Sequence, residues 1–330
     1  MEIVMKKKIL SILSLAMSTA MLTSCAGISK KVKFSENWYK DVTSSIVANV
    51  SEKLVYSVSC KHNEDVTDTQ YRYLRYGKGT YETELKSETL DGELVYHYST
   101  KLEMPVSYKC YTDNKSEDFT DVVTSEVWFK AATSALEPIK SFKTVVSHSP
   151  TMEGEFTSLD VCYNYYNYTV ETTYTDGKSG ECVFTDLTKT ENNVKNISFS
   201  EHSDDYSTVD NEQLLLAVRA MESLSSCTLN VFNSAWGTSL PVSISVGAAD
   251  SQAFDLTIDG TAYEQKSIRY VPVTVKLDTT NPGSQQNIWL AEKSNSTNNA
   301  NRNVILKIET EIFYSVGTMT YELVSADFID

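Results

Sequence analysis

Ile268-Arg269-Tyr270-Val271-Pro272-Val273-Thr274-Val275-Lys276-Leu277 sets Val271, Val273, Val275 and Leu277 on one side of an extended chain and Pro272, Thr274 and Lys276 on the other. A period of two with apolar residues on one side is the mark of a strand with one face buried and one in water. The same alternation recurs towards the C-terminus at 287–291, 304–310 and 318–324, and before this stretch at 228–232, 241–246 and 254–258. In the first half of the chain Leu54, Tyr56 and Val58 alternate with polar neighbours, as do Tyr71, Tyr73 and Arg75, then Leu94, Tyr96 and Tyr98. Asp91-Gly92 and Asp176-Gly177-Lys178-Ser179-Gly180 are hairpin turns by composition. Parallel pairing needs crossover helices that the pattern does not supply, so consecutive antiparallel strands are expected.

One helix interrupts them. It starts at Asp210, with Gln213 three residues on as a capping box, and carries Leu214, Leu215, Val218, Met221 and Leu224 on one side. A second, shorter helix is expected where Trp38, Val42, Ile46 and Val50 recur at a spacing near four. The expected fold is mostly β: an antiparallel, strongly bent sheet or incomplete barrel in two halves (52–206 and 207–330), with one packed α-helix. The polar stretch Lys293-Ser294-Asn295-Ser296-Thr297-Asn298-Asn299-Ala300-Asn301 has almost nothing to bury and reads as an exposed hairpin tip.

The N-terminus is of another kind. Lys6, Lys7 and Lys8 form a positive n-region, and Ile9 to Met21 an apolar run too short to span a bilayer comfortably. That run enters Leu22-Thr23-Ser24-Cys25, which resembles the lipobox of bacterial lipoproteins. The resemblance implies a signal peptide over 1–24, cleavage between Ser24 and Cys25, diacylglycerol on the Cys25 thiol, and an anchor and tether over 25–51. An ordinary secretory signal with a chance cysteine is the competing reading. The domain is then extracytoplasmic, on the cell surface or the periplasmic side, and its membrane partner is reached through the lipid. The formal charge of the 330 residues is −15; residues 1–24 carry three lysines and Glu2, so the processed chain carries −17. Such a surface repels phosphate backbones, and nucleic acid is an improbable partner.

Chemistry is sparse. Cysteines 60, 110, 162, 182 and 227 form no Cys-x-x-Cys pair; as free thiols they behave as small buried hydrophobes, and one incidental disulfide among them is left open. His62, His97, His148 and His202 sit in no nucleophile elbow or zinc spacing and read as surface histidines. Acidic clusters at Glu64, Asp65, Asp68 and at Asp113, Glu117, Asp118, Asp121 lack the glycine and ligand phase of a calcium loop and read as solvated charge. No phosphate-cradling glycine loop occurs. No catalytic residue, metal or other cofactor is therefore expected. Tyrosine is the compositional anomaly, at 20 residues. Tyr163, Tyr165, Tyr166 and Tyr168 fall on one strand, the first two towards one face and the last two towards the other. They are the candidate ligand or partner surface, against the simpler reading of cross-strand aromatic packing.

Asn287-Ile288-Trp289-Leu290-Ala291, Val304-Ile305-Leu306-Lys307-Ile308-Glu309-Thr310-Glu311 and Val316-Gly317-Thr318-Met319-Thr320-Tyr321-Glu322-Leu323 follow in an order that resembles bacterial domain-of-unknown-function family 3108. Glu52-Lys53-Leu54-Val55-Tyr56, residues 125–138 and the helix at 214–221 resemble its earlier elements. The Asn-rich insertion and the Ile258-Asp259-Gly260-Thr261 turn depart from it. The resemblance implies export and a β-rich fold and carries no catalytic residues. The function expected first is an envelope module binding a lipid, glycolipid or other apolar ligand, which needs an accessible cavity; the alternative is a structural or assembly lipoprotein contacting other envelope proteins, which needs a filled interior and an exposed aromatic patch.

Overall fold

The computed structural model describes residues 32–34, 51–67, 72–130, 136–151, 156–200, 207–221, 223–235, 237–277, 285–292, 303–312 and 316–329. Among these described residues seventeen strands make one sheet. The first half holds β1 (Ser51–His62), helix α1 (Glu64–Thr67), β2 (Arg72–Tyr76), β3 (Gly79–Leu90), β4 (Glu93–Cys110) and β5 (Lys115–Lys130). It continues with β6 (Pro138–Pro150), a 3-10 turn (Leu159–Val161), β7 (Tyr163–Tyr174), β8 (Ser179–Asp186) and β9 (Val194–Ser200). The second half holds β10 (Ser207–Asp210), a 3-10 turn (Asn211–Gln213), helix α2 (Leu214–Ala220), β11 (Cys227–Asn233), β12 (Thr238–Val246) and β13 (Asp250–Ile258). It ends with β14 (Thr261–Leu277), β15 (Gln285–Ala291), β16 (Ile305–Glu311) and β17 (Gly317–Ile329). The expected mostly-β, barrel-like curled sheet is the observed one, and the three stretches resembling family 3108 lie in β15, β16 and β17.

β3 to β9 pair as consecutive hairpins, and β14 to β17 do the same. β1 joins the two runs, with β3 on one edge and β17 on the other. Each half has one long strand that serves two shorter partners in line. β4 pairs with β3 and then β2; β14 pairs with β13 and then β12. The breaks between the short partners follow from proline. Pro105 in β4 and Pro272 in β14 have no N–H to give a ladder, and each accepts instead from a glycine opposite, Gly77 at 2.8 Å and Gly247 at 2.9 Å. Glycine fits because a Cβ at 247 would lie 2.8 Å from the Pro272 ring.

Two pairings depart from the antiparallel expectation. β10 and β11 are parallel, and the connection between them is the helix itself; β13 and β17 also touch in parallel over two residue pairs. The helix differs in detail as well. Asp210 does cap, accepting from the Glu212 N–H at 2.7 Å, but the first turn is 3-10 and α2 stops at Ala220, leaving Leu224 outside. Gln213 makes no return bond to the cap, because its amide donates 2.9 Å to the Leu136 carbonyl. Met221 is instead drawn into a β-bridge with Phe34, which is buried, so this part of the segment expected as anchor and tether (25–51) packs on the fold. In β2 the buried positions are Arg72, Leu74 and Tyr76, the opposite phase from the one expected from Tyr73 and Arg75, because a buried arginine breaks the apolar pattern. Ser24, Cys25, the expected helix at 38–50, His202 and the asparagine-rich stretch lie outside the described residues.

The concave face of the sheet closes on α2. Leu214, Leu216, Ala217, Val218 and Ala220 pack against Leu54, Tyr56, Tyr98, Ile288, Leu290 and Ile308 in one continuous core. The edge strands β9 and β10 share no ladder among the described residues; across this side of the sheet Phe199 of β9 stacks on Phe232 of β11 at 3.7 Å, and Tyr174 meets the same ring edge-on.

Candidate functional site

Strand alternation aims Ser141, Lys143, Val145 and Ser147 of β6 into the concave face, so a lysine ammonium stands where the pattern calls for an apolar group. Its partner comes from the 3-10 turn before α2. Lys143 Nζ donates 2.9 Å to Glu212 Oε1, which also accepts from Asn211 Nδ2 at 3.0 Å. The lysine side chain is 4% exposed and the glutamate 10%. Burial alone would lower the Lys143 ammonium, but Glu212 outweighs it and the group is held above its ordinary value. Burial pushes Glu212 up, and Lys143 with the neighbouring Asn211 and Ser125 pulls it below its ordinary value. The Ser125 hydroxyl in turn lies 2.8 Å from Thr100 Oγ1.

These groups line a cleft of about 100 Å³ between the inner faces of β3 to β6, the start of α2 and the inner faces of β15 to β17, with Tyr81, Tyr98 and Tyr321 as its aromatic wall. Two amide oxygens that line it, Asn211 Oδ1 and Gln286 Oε1, are buried without a hydrogen-bond partner. Two further polar sites flank it. Asp210, fully buried, accepts from Ser141 Oγ at 2.7 Å and Tyr174 Oη at 2.5 Å, and burial, then the Glu212 charge, raises its carboxyl to about 6. On α2, Arg219 makes a two-bond fork to Glu52 of β1, 2.7 and 2.8 Å, with both side chains 3% exposed. Its Nε donates to the Asn303 carbonyl, whose side chain returns a bond to the Arg219 carbonyl.

The four candidate tyrosines do not meet at this cleft. Tyr163 and Tyr165 both contact His148, at 5.4 and 5.0 Å between rings, in an aromatic cluster completed by Tyr108 and Phe119. Tyr165 is 47% exposed at its rim. Tyr166 is half-buried, and Tyr168 is buried against Phe184. Inside the cluster Asp121 accepts both the His148 N–H, at 2.8 Å, and a contact from its ring Nδ1 at 2.9 Å. Burial raises the Asp121 carboxyl despite the histidine.

Asp121 and His148 are therefore buried, not the solvated charge and surface ring expected. His97 is buried too, stacked 4.2 Å from Trp128 on the convex face with Glu88 and Glu126 on either side. His62 accepts the Tyr76 N–H. The sequence reading also passed over Lys143, Glu212, Arg219 and Glu52. The signal that could have found them is polar residues in core phase: Thr83, Ser125, Ser141, Lys143 and Thr172 all occupy inward strand positions. Among the described residues no group of three or more His, Cys, Asp or Glu side chains is arranged to hold a metal ion.

These features define a curled, barrel-like β-sheet protein with an ionic interior. No family model matches the sequence, and no curated protein matches it. Among solved structures it is similar to the beta-barrel-like protein of domain of unknown function DUF1849 from Brucella abortus, with a TM-score of 0.46, 11% sequence identity, and coverage of 86% of this chain and 100% of that chain.

Proposed function

We propose that the protein is a lipid-anchored, extracytoplasmic assembly module that contacts other envelope proteins through its exterior and carries no ligand inside its sheet. The small size of the cleft between α2 and the inner face of the sheet, among the described residues, supports this reading. Pockets for drug-sized ligands are commonly about 300–1,000 Å³ and mostly apolar, whereas the cleft here is about 100 Å³ and centred on a charge pair. An acyl chain has no room in it. The apolar-ligand alternative therefore has the weaker support.

Outside, Tyr165 at 47% and Tyr111 at 43% exposure, with Val161, stand on β7, the β4–β5 turn and the neighbouring 3-10 turn. Exposed aromatics over a rigid base are the composition of protein-contact surfaces. The anchor in this proposal is the lipid on Cys25; among the described residues no helix is long and apolar enough to cross a membrane. The resemblance to family 3108 belongs to the same proposal and assigns no catalysis.

The test is photo-crosslinking in the native host, with a benzophenone amino acid replacing Tyr165. A discrete adduct with an envelope protein, lost when the probe is moved to the buried Tyr168 position, is the expected result. No adduct from Tyr165, with a lipid released from the gently purified protein in native mass spectrometry, would return the function to ligand carriage.

A further inference from the structure

Cys110 ends β4 and Cys162 follows the 3-10 turn that leads into β7. Both are 0% exposed in the same core, and burial first, then the neighbouring Cys110 thiol, raises the Cys162 thiol. Each thiol otherwise has a weak carbonyl contact at 3.5 Å, Cys110 to Phe156 and Cys162 to Ser158. The other described thiols lie apart from this pair: Cys182 meets Thr172, and Cys60 and Cys227 are half-buried on β1 and β11.

The backbones on either side are already fixed. Asp113, in the turn after Cys110, accepts the Leu159 N–H at 3.0 Å and draws the 3-10 turn onto β4. Arg72 stands opposite Cys110 in the β2–β4 ladder and donates to the Thr151 carbonyl, while the Thr151 N–H donates 3.0 Å to the Cys162 carbonyl. These bonds hold the end of β4 and the residue after the 3-10 turn side by side.

We infer that Cys110 and Cys162 form a disulfide in the exported protein. The inference rests on the extracytoplasmic reading, because oxidising compartments are where such bonds persist. Two S–H bonds break and one S–S bond forms; the two electrons and two protons pass to a disulfide oxidant, which is reduced to two thiols. Burial pushes the Cys162 thiol up to about 12, so thiolate is scarce in the folded chain and the bond forms while the chain folds after export. It ties the end of β4 to the start of β7 and so holds Tyr108, Tyr163 and Tyr165 together without a partner.

The test is alkylation of the full chain with N-ethylmaleimide as its own cells are lysed directly into guanidinium chloride, which opens the buried thiols, followed by peptide mass spectrometry without reduction, which also reports the lipid at Cys25. A linked Cys110–Cys162 peptide, with Cys60, Cys182 and Cys227 alkylated, is expected. A lipidated Cys25 with both Cys110 and Cys162 alkylated overturns the disulfide and leaves the export reading standing. If Cys25 carries no lipid, the lipid-anchor reading fails, and refolding of the purified chain in oxidised glutathione decides the pair: a dominant 110–162 link supports it, scrambled or absent links overturn it. Reductant should lower the melting midpoint of the native protein by on the order of 5–10 °C and leave Cys110→Ser/Cys162→Ser unmoved. Equal midpoints with and without reductant overturn the inference.

Discussion

Replacing Arg219 by methionine keeps the stem that packs on α2 and removes the charge. The Glu52 carboxylate then loses both bonds of a 2.7 and 2.8 Å fork at a site where each partner is 3% exposed. Water cannot take the guanidinium's place there, and breaking such a pair costs about 3–5 kcal/mol. Methionine keeps the packing of the stem, so the lower end of that range is expected. The Asn303 carbonyl also loses its donor, which adds about 1 kcal/mol. A net loss of about 4 kcal/mol is expected in urea unfolding at pH 7, or about 8 °C in midpoint at roughly 2 °C per kcal/mol for a chain of this size. Glu52→Gln with Arg219→Met leaves no buried charge and should recover at least half of the loss. If the single arginine variant costs less than about 1 kcal/mol, or the two single losses simply add in the double variant, the pair is not desolvated and coupled as described.

Asp210 gives a pH signature. With its carboxyl raised to about 6, the folded state binds more protons than the unfolded chain between about pH 4 and 6. Its contribution is present below that window and is lost as pH rises through it, by about 3 kcal/mol at pH 7. Wild type minus Asp210→Asn, followed by urea unfolding from pH 4 to 7, should therefore fall by that amount; a flat difference contradicts the burial of the carboxylate. Gly180→Ala places a Cβ against the Thr173 carbonyl oxygen in the β7–β8 hairpin and should cost about 2–3 kcal/mol in the same assay. Cys25→Ser should move the protein from the membrane to the soluble extracytoplasmic fraction on fractionation, with the circular dichroism spectrum unchanged. Retention in the membrane fraction would contradict the lipid anchor.

Strands were legible wherever one face is apolar throughout, as in Val271 to Leu277, Leu54 to Val58 and Leu94 to Tyr98, because burial on one side of a pleated chain imposes a period of two. The turns at Asp91-Gly92 and Asp176 to Gly180 were legible for a local reason: Asp91, Gly92 and Gly177 have positive φ, and these residue types tolerate it. What escaped depends on partners distant in sequence. Arg72 and Lys143 break the apolar phase of their strands, and nothing nearby announces that Glu212 lies 69 residues from Lys143 or Glu52 167 residues from Arg219. Asp121 reads as loop charge until His148 is brought against it by β6. The helix was placed correctly, but its parallel crossover from β10 to β11 is a property of the sheet it lies in, and no periodicity records it. The neighbourhood of Cys110 and Cys162 was equally invisible, since it is made by the 3-10 turn folding back onto β4.

The strand that joins the halves has a further consequence in time. β1 takes one edge from β3, about thirty residues on, and the other from β17, where Ser51 faces Ile329 across twelve paired positions. Among the seventeen described strands β1 leaves the ribosome first and β17 last, so the seam between them stays open until every other strand has been made. The last strand to arrive acts as the latch, and a chain cut short before Gly317 leaves the edge of β1 bare for any other strand to take.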